Sequence, residues 1–286
     1  MSSNDVRLSL FSKLLAVSQE SKERPDKAEN LTDVLEILAV FDGLRPVHTS
    51  GGQHFHSESL CTNLEGIVCE FGLTSLRTLV IEPFNHHSPR IPKEVWTAFD
   101  EANARDRHQQ PKPLWIYRDP AAADRIQRAV DGKMSRSETL GYPKCCVQHE
   151  SKVMARMLEQ FIQGLERKFK TQTQAELIRL LDEDASPDEI DMSWLAPEVQ
   201  ASYRLYPYVK FRACPECLKK KDSPAAKINR QMRDLAFSLS PAFSRDIWHS
   251  RYQNLSKDRT VQVSKSDPCP CGSEEKYKRC CGEISG

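Results

Sequence analysis

The chain has 286 residues, 39% of them hydrophobic, and a formal net charge of +1. That is enough apolar material for one large or two modest cores, and the charge balance excludes a molecule that attracts nucleic acid or anionic membrane through its overall field. No run of about 18 apolar residues occurs, which excludes insertion as a transmembrane helix, and a mean hydropathy of −0.58 implies extensive solvated surface.

The first predicted element is an amphipathic helix over residues 3–20, with Val6, Leu8, Leu10, Phe11, Leu14 and Leu15 on one broad face. A polar stretch from Ser18 to Asn30 separates it from a second helix through Leu35, Leu38, Ala39 and Phe41, with Thr32 as its expected N-cap and Gly43 as its stop. Ser50-Gly51-Gly52 reads as a turn. Thr78–Ile81 and Leu114–Tyr117 have strand chemistry. Between them a helix spans about residues 92–105, and Asp119-Pro120 opens another that Gly132 ends. The alternation predicts a small α/β layer.

From Pro143 the pattern is mostly helical. Apolar residues from Val147 to Phe169 recur at helical spacing, and a shorter helix runs through Leu177 to Leu181. The acid-rich stretch 182–191 reads as a loop, and Ser223-Pro224 opens a further helix. The expected fold is a mixed α+β, helix-rich domain with a small α/β layer over residues 1–255, a linker over 256–266, and a small C-terminal knuckle over 267–286.

Two cysteine constellations carry the chemistry. Cys269, Cys271, Cys280 and Cys281 fall within thirteen positions in a segment whose only large ring is Tyr277. Burial cannot fold such a segment, whereas four thiolates on one tetrahedral zinc can, because structural sites contribute folding energy directly. The tail shows no apolar face with which to dock internally, so its core is expected to be separate from the main one. The second constellation is Gly141-Tyr142-Pro143-Lys144-Cys145-Cys146, which places two thiols in the opening turn of the long helix, followed by the C-x-x-C of Cys214 and Cys217. Helix-start N–H groups are expected to lower thiol pKa there. Together these four supply soft ligands for a second zinc or a small iron–sulfur cluster, and His149 is placed to replace one thiol. A redox or catalytic thiol site and buried cysteines that merely pack are the alternatives.

No basic leader, apolar stretch and cleavage site occur together at the N-terminus. The expected location is therefore cytoplasmic, a reducing compartment in which ten cysteines read as metal ligands or redox groups rather than disulfides. His54, His56, His86 and His87, with Cys61 and Cys69 between them, match no defensible metal spacing. From Arg204 to Arg233, nine Lys and Arg face two acids, Glu216 and Asp222, with Tyr206, Tyr208 and Phe211 interleaved and Tyr203 just before. Basic and aromatic residues together can bind phosphates and stack bases.

The string Cys269-Pro-Cys-Gly-Ser, Lys276-Tyr-Lys278 and Cys280-Cys281 resembles the SEC-C motif, the zinc-binding element found at the C-terminus of the SecA preprotein translocase ATPase and appended to other proteins. Glu274 and Glu275 depart from it where Gly and Lys are preferred. The resemblance implies a zinc site that serves contact with a partner; it implies no motor, since no G-x-x-x-x-G-K-[ST] occurs. The string Gly141–Val147, with Gly43-Leu44-Arg45-Pro46 before and Cys214–Cys217 after, resembles an uncharacterised G-Y-P-x-C-C-V domain family that implies no reaction. Three function classes stand open: a cytosolic zinc-binding protein docking a protein partner, an iron–sulfur or thiol redox enzyme, and an RNA- or ribosome-associated binder.

Overall fold

The structure is a computed structural model that describes residues 2–20, 27–50, 58–80, 90–109, 112–171, 173–183, 185–188, 193–253, 266, 269 and 275–279. It is helix-rich, with one small sheet. Helices α1 (Ser3–Glu20) and α2 (Lys27–Phe41) lead to strand β1 (Val47–Ser50), then α3 (Glu58–Glu70) and β2 (Thr74–Arg77). Next come α4 (Lys93–Gln109), β3 (Leu114–Tyr117), α5 (Pro120–Val130), α6 (Arg136–Thr139) and the long α7 (Lys144–Phe169). The second half adds α8 (Gln174–Asp182), α9 (Ala196–Leu205), α10 (Pro215–Lys219), α11 (Pro224–Leu239), α12 (Pro241–Gln253) and a 3₁₀ turn at Tyr277–Arg279.

The sheet has the order β1-β3-β2 with both pairings antiparallel; Val47 and Thr74 both face Tyr117. The strand expected at Thr78–Ile81 lies four residues earlier, at Thr74–Arg77. Thr-Ser-Leu-Arg alternates between exposed and half-buried positions, which suits an edge strand, and the Arg77 guanidinium is fixed 2.6 Å from Glu65 on α3. Thr78 still follows the sheet edge, its N–H donating to Pro113 O at 3.3 Å and its carbonyl accepting from Trp115 Nε1 at 3.0 Å. Ile81 and the Gly51-Gly52 turn lie outside the described residues.

Helix α2 sits at the centre of the largest core. Every residue from Leu31 to Val40 is buried, so this helix has no solvent face on which to place Thr32, Asp33 and Glu36. It starts at Lys27, which makes Thr32 a buried interior residue rather than the expected cap. The same core takes Leu10 and Leu14 from α1, Leu235 from α11 and Trp248 from α12. A second cluster joins α4, α7 and α8 through Val95, Trp96, Leu158 and Leu177. A third seats α5 on the sheet through Ile126 and Trp115. Helix α5 begins as the sequence predicts, with the Asp119 side chain accepting from Ala121 N and Pro120 in the first position.

Candidate metal centre

The turn that enters α7 positions the first thiol pair. Gly141 has φ +73, and a Cβ there would lie 3.0 Å from Cδ and Cγ of Pro46. Only glycine tolerates both the left-handed backbone and that approach. Pro143 then caps the helix with extended backbone, and its carbonyl accepts from Cys146 N and Val147 N at 2.8 and 3.0 Å. Cys145 and Cys146 therefore occupy the first turn, as the sequence predicts.

The second pair comes from the short helix α10. Cys214 is its N-cap and Cys217 lies one turn on, so the two thiols share a face. Tyr206 Oη donates to Cys217 O at 2.7 Å, and Ala213 N donates to Ser202 Oγ at 2.9 Å, tying the loop to α9. The four sulfurs lie within 4.8 Å of one another. Cys145 Sγ is 4.0 Å from Cys146 Sγ and 3.6 Å from Cys217 Sγ, and Cys146 Sγ is 3.7 Å from Cys217 Sγ. A tetrahedron with Zn–S bonds of 2.3 Å has sulfur–sulfur edges of about 3.8 Å. The donor set thus fits one soft metal ion, with Cys146, Cys214 and Cys217 buried and Cys145 half-buried.

The helix start does not lower the first two thiols. Burial pushes Cys145 up to about 11, with Cys217 and Cys214 adding to the rise, and burial also raises Cys146, where the Cys214 N–H opposes it. Desolvation outweighs the helix-end N–H groups because the thiols face protein rather than water. Cys217 is lowered: burial raises it, but the Ala225 N–H and hydrogen bonding with the neighbouring thiols outweigh that. His149, a candidate replacement ligand, is not part of the sulfur cluster and pairs through Nε2 with Glu198 on α9.

Of the C-terminal set, Cys269 is described; Cys271, Cys280 and Cys281 lie outside the described residues. Cys269 is buried at 5% exposure within the main core, and its N–H donates to Glu275 O at 2.7 Å. The Tyr277 ring packs edge-on against Trp248 of α12, with centroids 5.7 Å apart. The tail therefore has an apolar contact with the main core, against the expectation of separate cores. The ring meets a large buried indole that α12 presents. Glu275, Lys276, Lys278 and Arg279 remain exposed.

Residues 266–283 match the SEC-C motif family. The relatives found are SecA proteins, similar over short stretches. "Protein translocase subunit SecA" of Paraburkholderia phytofirmans is 45% identical over 49 residues, 17% of this chain and 5% of that protein. The protein of the same name from Wolinella succinogenes is 70% identical over 23 residues, 8% of this chain and 3% of its own length. That of Caldicellulosiruptor saccharolyticus is 58% identical over 26 residues, 9% and 3% respectively. The chain thus spans about one twentieth of the length of these relatives or less. No solved structure matches the chain. The motif, of zinc-binding type, and the Cys145/Cys146/Cys214/Cys217 cluster are both consistent with a metal-binding protein.

The weaker sequence signals resolve differently. His54, His56, His86 and His87 lie outside the described residues; Cys61 is buried in the core, and Cys69 is exposed beside Ser75 Oγ. In the basic stretch Tyr206, Tyr208 and Phe211 are buried, so these rings are part of the core rather than a stacking platform. Tyr203 carries the Arg251 guanidinium over its face at 4.7 Å. Among the described residues no helix is long and apolar enough to cross a membrane.

Sequence reading missed a second polar assembly near the thiols. Asp33 and Glu36 of α2, Arg45 and His48 are all 2–4% exposed. Lys210 Nζ donates to Asp33 Oδ1, Arg45 Nε lies 3.3 Å from Glu36 Oε2, and the Arg45 guanidinium stacks 4.8 Å from the Tyr142 ring. The available signal was two acids inside a ten-residue stretch that is otherwise almost wholly apolar.

Proposed function

We propose that this protein binds zinc at two four-cysteine centres and uses the C-terminal one to dock a protein partner in the cytoplasm. Cys145, Cys146, Cys214 and Cys217 hold the first ion; Cys269, Cys271, Cys280 and Cys281 hold the second. The observation that carries the reading is the thiol tetrad, drawn from two segments 68 residues apart and gathered to within 4.8 Å. Four clustered thiols, three of them buried, would without a metal have only weak S–H partners, whereas a zinc ion takes all four as thiolates. The first centre joins α7 to α10 and is structural in role, since four protein ligands leave no open position.

The docking reading rests on the SEC-C match and on the exposed edge of the knuckle. With Tyr277 turned toward Trp248, the charged residues Glu275, Lys276, Lys278 and Arg279 face solvent. Their mixed signs suit a protein surface better than a polyanion.

Elemental analysis of anaerobically purified protein, with its visible absorbance, tests the metal. One colourless zinc per tetrad is expected; a brown protein containing iron and sulfide overturns the assignment of zinc at the first centre. Pull-downs with intact protein and a Lys276→Glu, Lys278→Glu, Arg279→Glu variant test the docking. An unchanged partner set overturns that part.

A further inference from the structure

In a chain whose formal net charge is only +1, one corner of the fold gathers cations without matching acids. The sulfur cluster creates that corner. Cys145 Sγ lies 3.6 Å from Cys217 Sγ, so Lys144, just before Cys145, is brought beside the Lys219-Lys220-Lys221 run that follows Cys217. The run then turns into α11. Lys220 N donates to Cys217 O at 3.4 Å, and Ser223 N donates to Lys220 O at 3.2 Å. Arg230 Nη1 of α11 donates to Lys221 O at 3.0 Å, which holds the turn against the helix. Lys227 stands three residues before Arg230 on α11, and residues at that spacing share a face.

The two acids at this corner are already taken. Glu216 lies 3.9 Å from Lys219, and Asp222 lies 3.1 Å from Arg230. Lys144, Lys220, Lys221 and Lys227 are exposed and, among the described residues, have no carboxylate within salt-bridge distance. Other surface cations do find acids, such as Lys13 with Glu70 at 2.6 Å, Arg77 with Glu65 at 2.6 Å and Arg179 with Glu183 at 2.7 Å. Gathering like charges from α7, α11 and the turn between α10 and α11 costs self-repulsion, which a bound polyanion removes. A zinc-loaded tetrad, at a formal charge of about −2, offsets at most half of the four.

We infer that this corner is a docking surface for the phosphate backbone of a nucleic-acid duplex. Its cations are lysines, compact point charges that suit phosphate, whereas carboxylate recognition favours the planar fork of arginine. The rings nearby in the chain, Tyr206, Tyr208 and Phe211, are buried. No platform stacks the bases of a single strand, and the paired bases of a duplex need none. The exposed large apolar side chains among the described residues, Leu8 and Leu205 among them, belong to other segments, so nothing here enters the apolar part of a membrane. Contacts of this kind fix position without reading sequence. The inference rests on the sulfur and backbone contacts, not on the identity of the ion or on the C-terminal knuckle.

Fluorescence anisotropy of two labelled DNA duplexes of unrelated sequence, titrated with the full-length protein as purified, tests it. Both should bind alike, with log K falling against log salt at a slope of about −3 to −4, about 0.9 for each phosphate neutralised by four lysines. The combined Lys220→Gln, Lys221→Gln, Lys227→Gln variant should bind at least about tenfold more weakly at about 50 mM salt, with a slope near about −1. Its metal content and unfolding should match those of the parent. The matching Lys→Arg variant should keep the affinity, and Lys276→Glu, Lys278→Glu, Arg279→Glu should leave it unchanged, which separates this surface from docking by the tail. Absence of binding at about 50 mM salt, a flat salt dependence, or a Gln variant that binds like the parent overturns the proposal. So does a Gln variant that loses its metal, because the lysines then serve the thiol centre. Equal binding of polyglutamate or of phosphatidylserine vesicles overturns the choice of a nucleic acid.

Discussion

Cys145 Sγ lies 3.6 Å from Cys217 Sγ, although 72 residues separate them along the chain. The contact links the first turn of α7 to α10, and three of the four thiols belong to the main core. Loss of one ligand should therefore be felt by the whole domain. Cys217→Ser is expected to remove one metal equivalent and to destabilise the domain by more than about 4 kcal/mol, since it removes a structural metal rather than one contact. Elemental analysis and denaturant unfolding read both effects. Full metal content in the variant would show that the tetrad binds nothing.

The tail should respond to changes in α12. Tyr277→Ala removes an edge-on aromatic pair worth about 0.5–1.5 kcal/mol beyond its buried area. Faster amide exchange at Cys269, whose N–H donates to Glu275 O, is the expected signature. Cys281→Ser should likewise lower the main unfolding transition, because Cys269 is buried in the same cluster as Trp248. A main transition identical to that of the parent protein would restore the picture of two separate cores.

Two glycine substitutions should diverge in sign. At Gly141 the backbone is left-handed and a Cβ would meet the rigid Pro46 ring at 3.0 Å. Gly141→Ala should cost at least about 1–2 kcal/mol from the backbone alone and should lower metal occupancy by shifting the start of α7. Gly66 lies within α3, and a Cβ there meets nothing within 4 Å. Gly66→Ala should stabilise by about 0.5–1 kcal/mol. Paired denaturant curves give both numbers. Equal effects at the two sites would mean that the Pro46 contact is not a constraint.

Long helices and local chemistry were legible in the sequence; pairings across the chain were only partly so. Helices α1, α5 and α7 follow from periodicity and caps, and the spacing of Cys145, Cys146, Cys214 and Cys217 suggested a shared site that the sulfur distances support. Strand β1 was hidden because Val-His-Thr-Ser has four buried positions and no alternation; burial on both faces erases the period of two. Asp33 and Glu36 gave no sign of their role because their partners, Lys210 and Arg45, act from outside the helix, one of them 177 residues away. The Tyr277–Trp248 contact was invisible for the same reason: it is a tertiary pairing of two single rings with no pattern in either segment.

The buried imidazole makes acid sensitivity the last expectation. His48 is held at about 3, first by burial and then by Lys210, Arg136 and Arg45, with Asp33 opposing. In the unfolded chain it returns to its ordinary value of about 6.5. Above that pH neither state carries the proton, and His48 adds no pH dependence. Below it the unfolded chain takes up a proton that the folded chain refuses, so stability falls by about 1.4 kcal/mol per pH unit until about pH 3. His48→Gln removes this increment. The variant should be less stable than the parent at about pH 7.5, having changed a packed ring, and the gap should narrow by roughly 1 kcal/mol by about pH 5.5. Cysteine ligands titrate in both proteins and cancel in the difference. Denaturant unfolding at the two pH values decides the matter: a gap that stays constant would mean that His48 takes up its proton equally in both states.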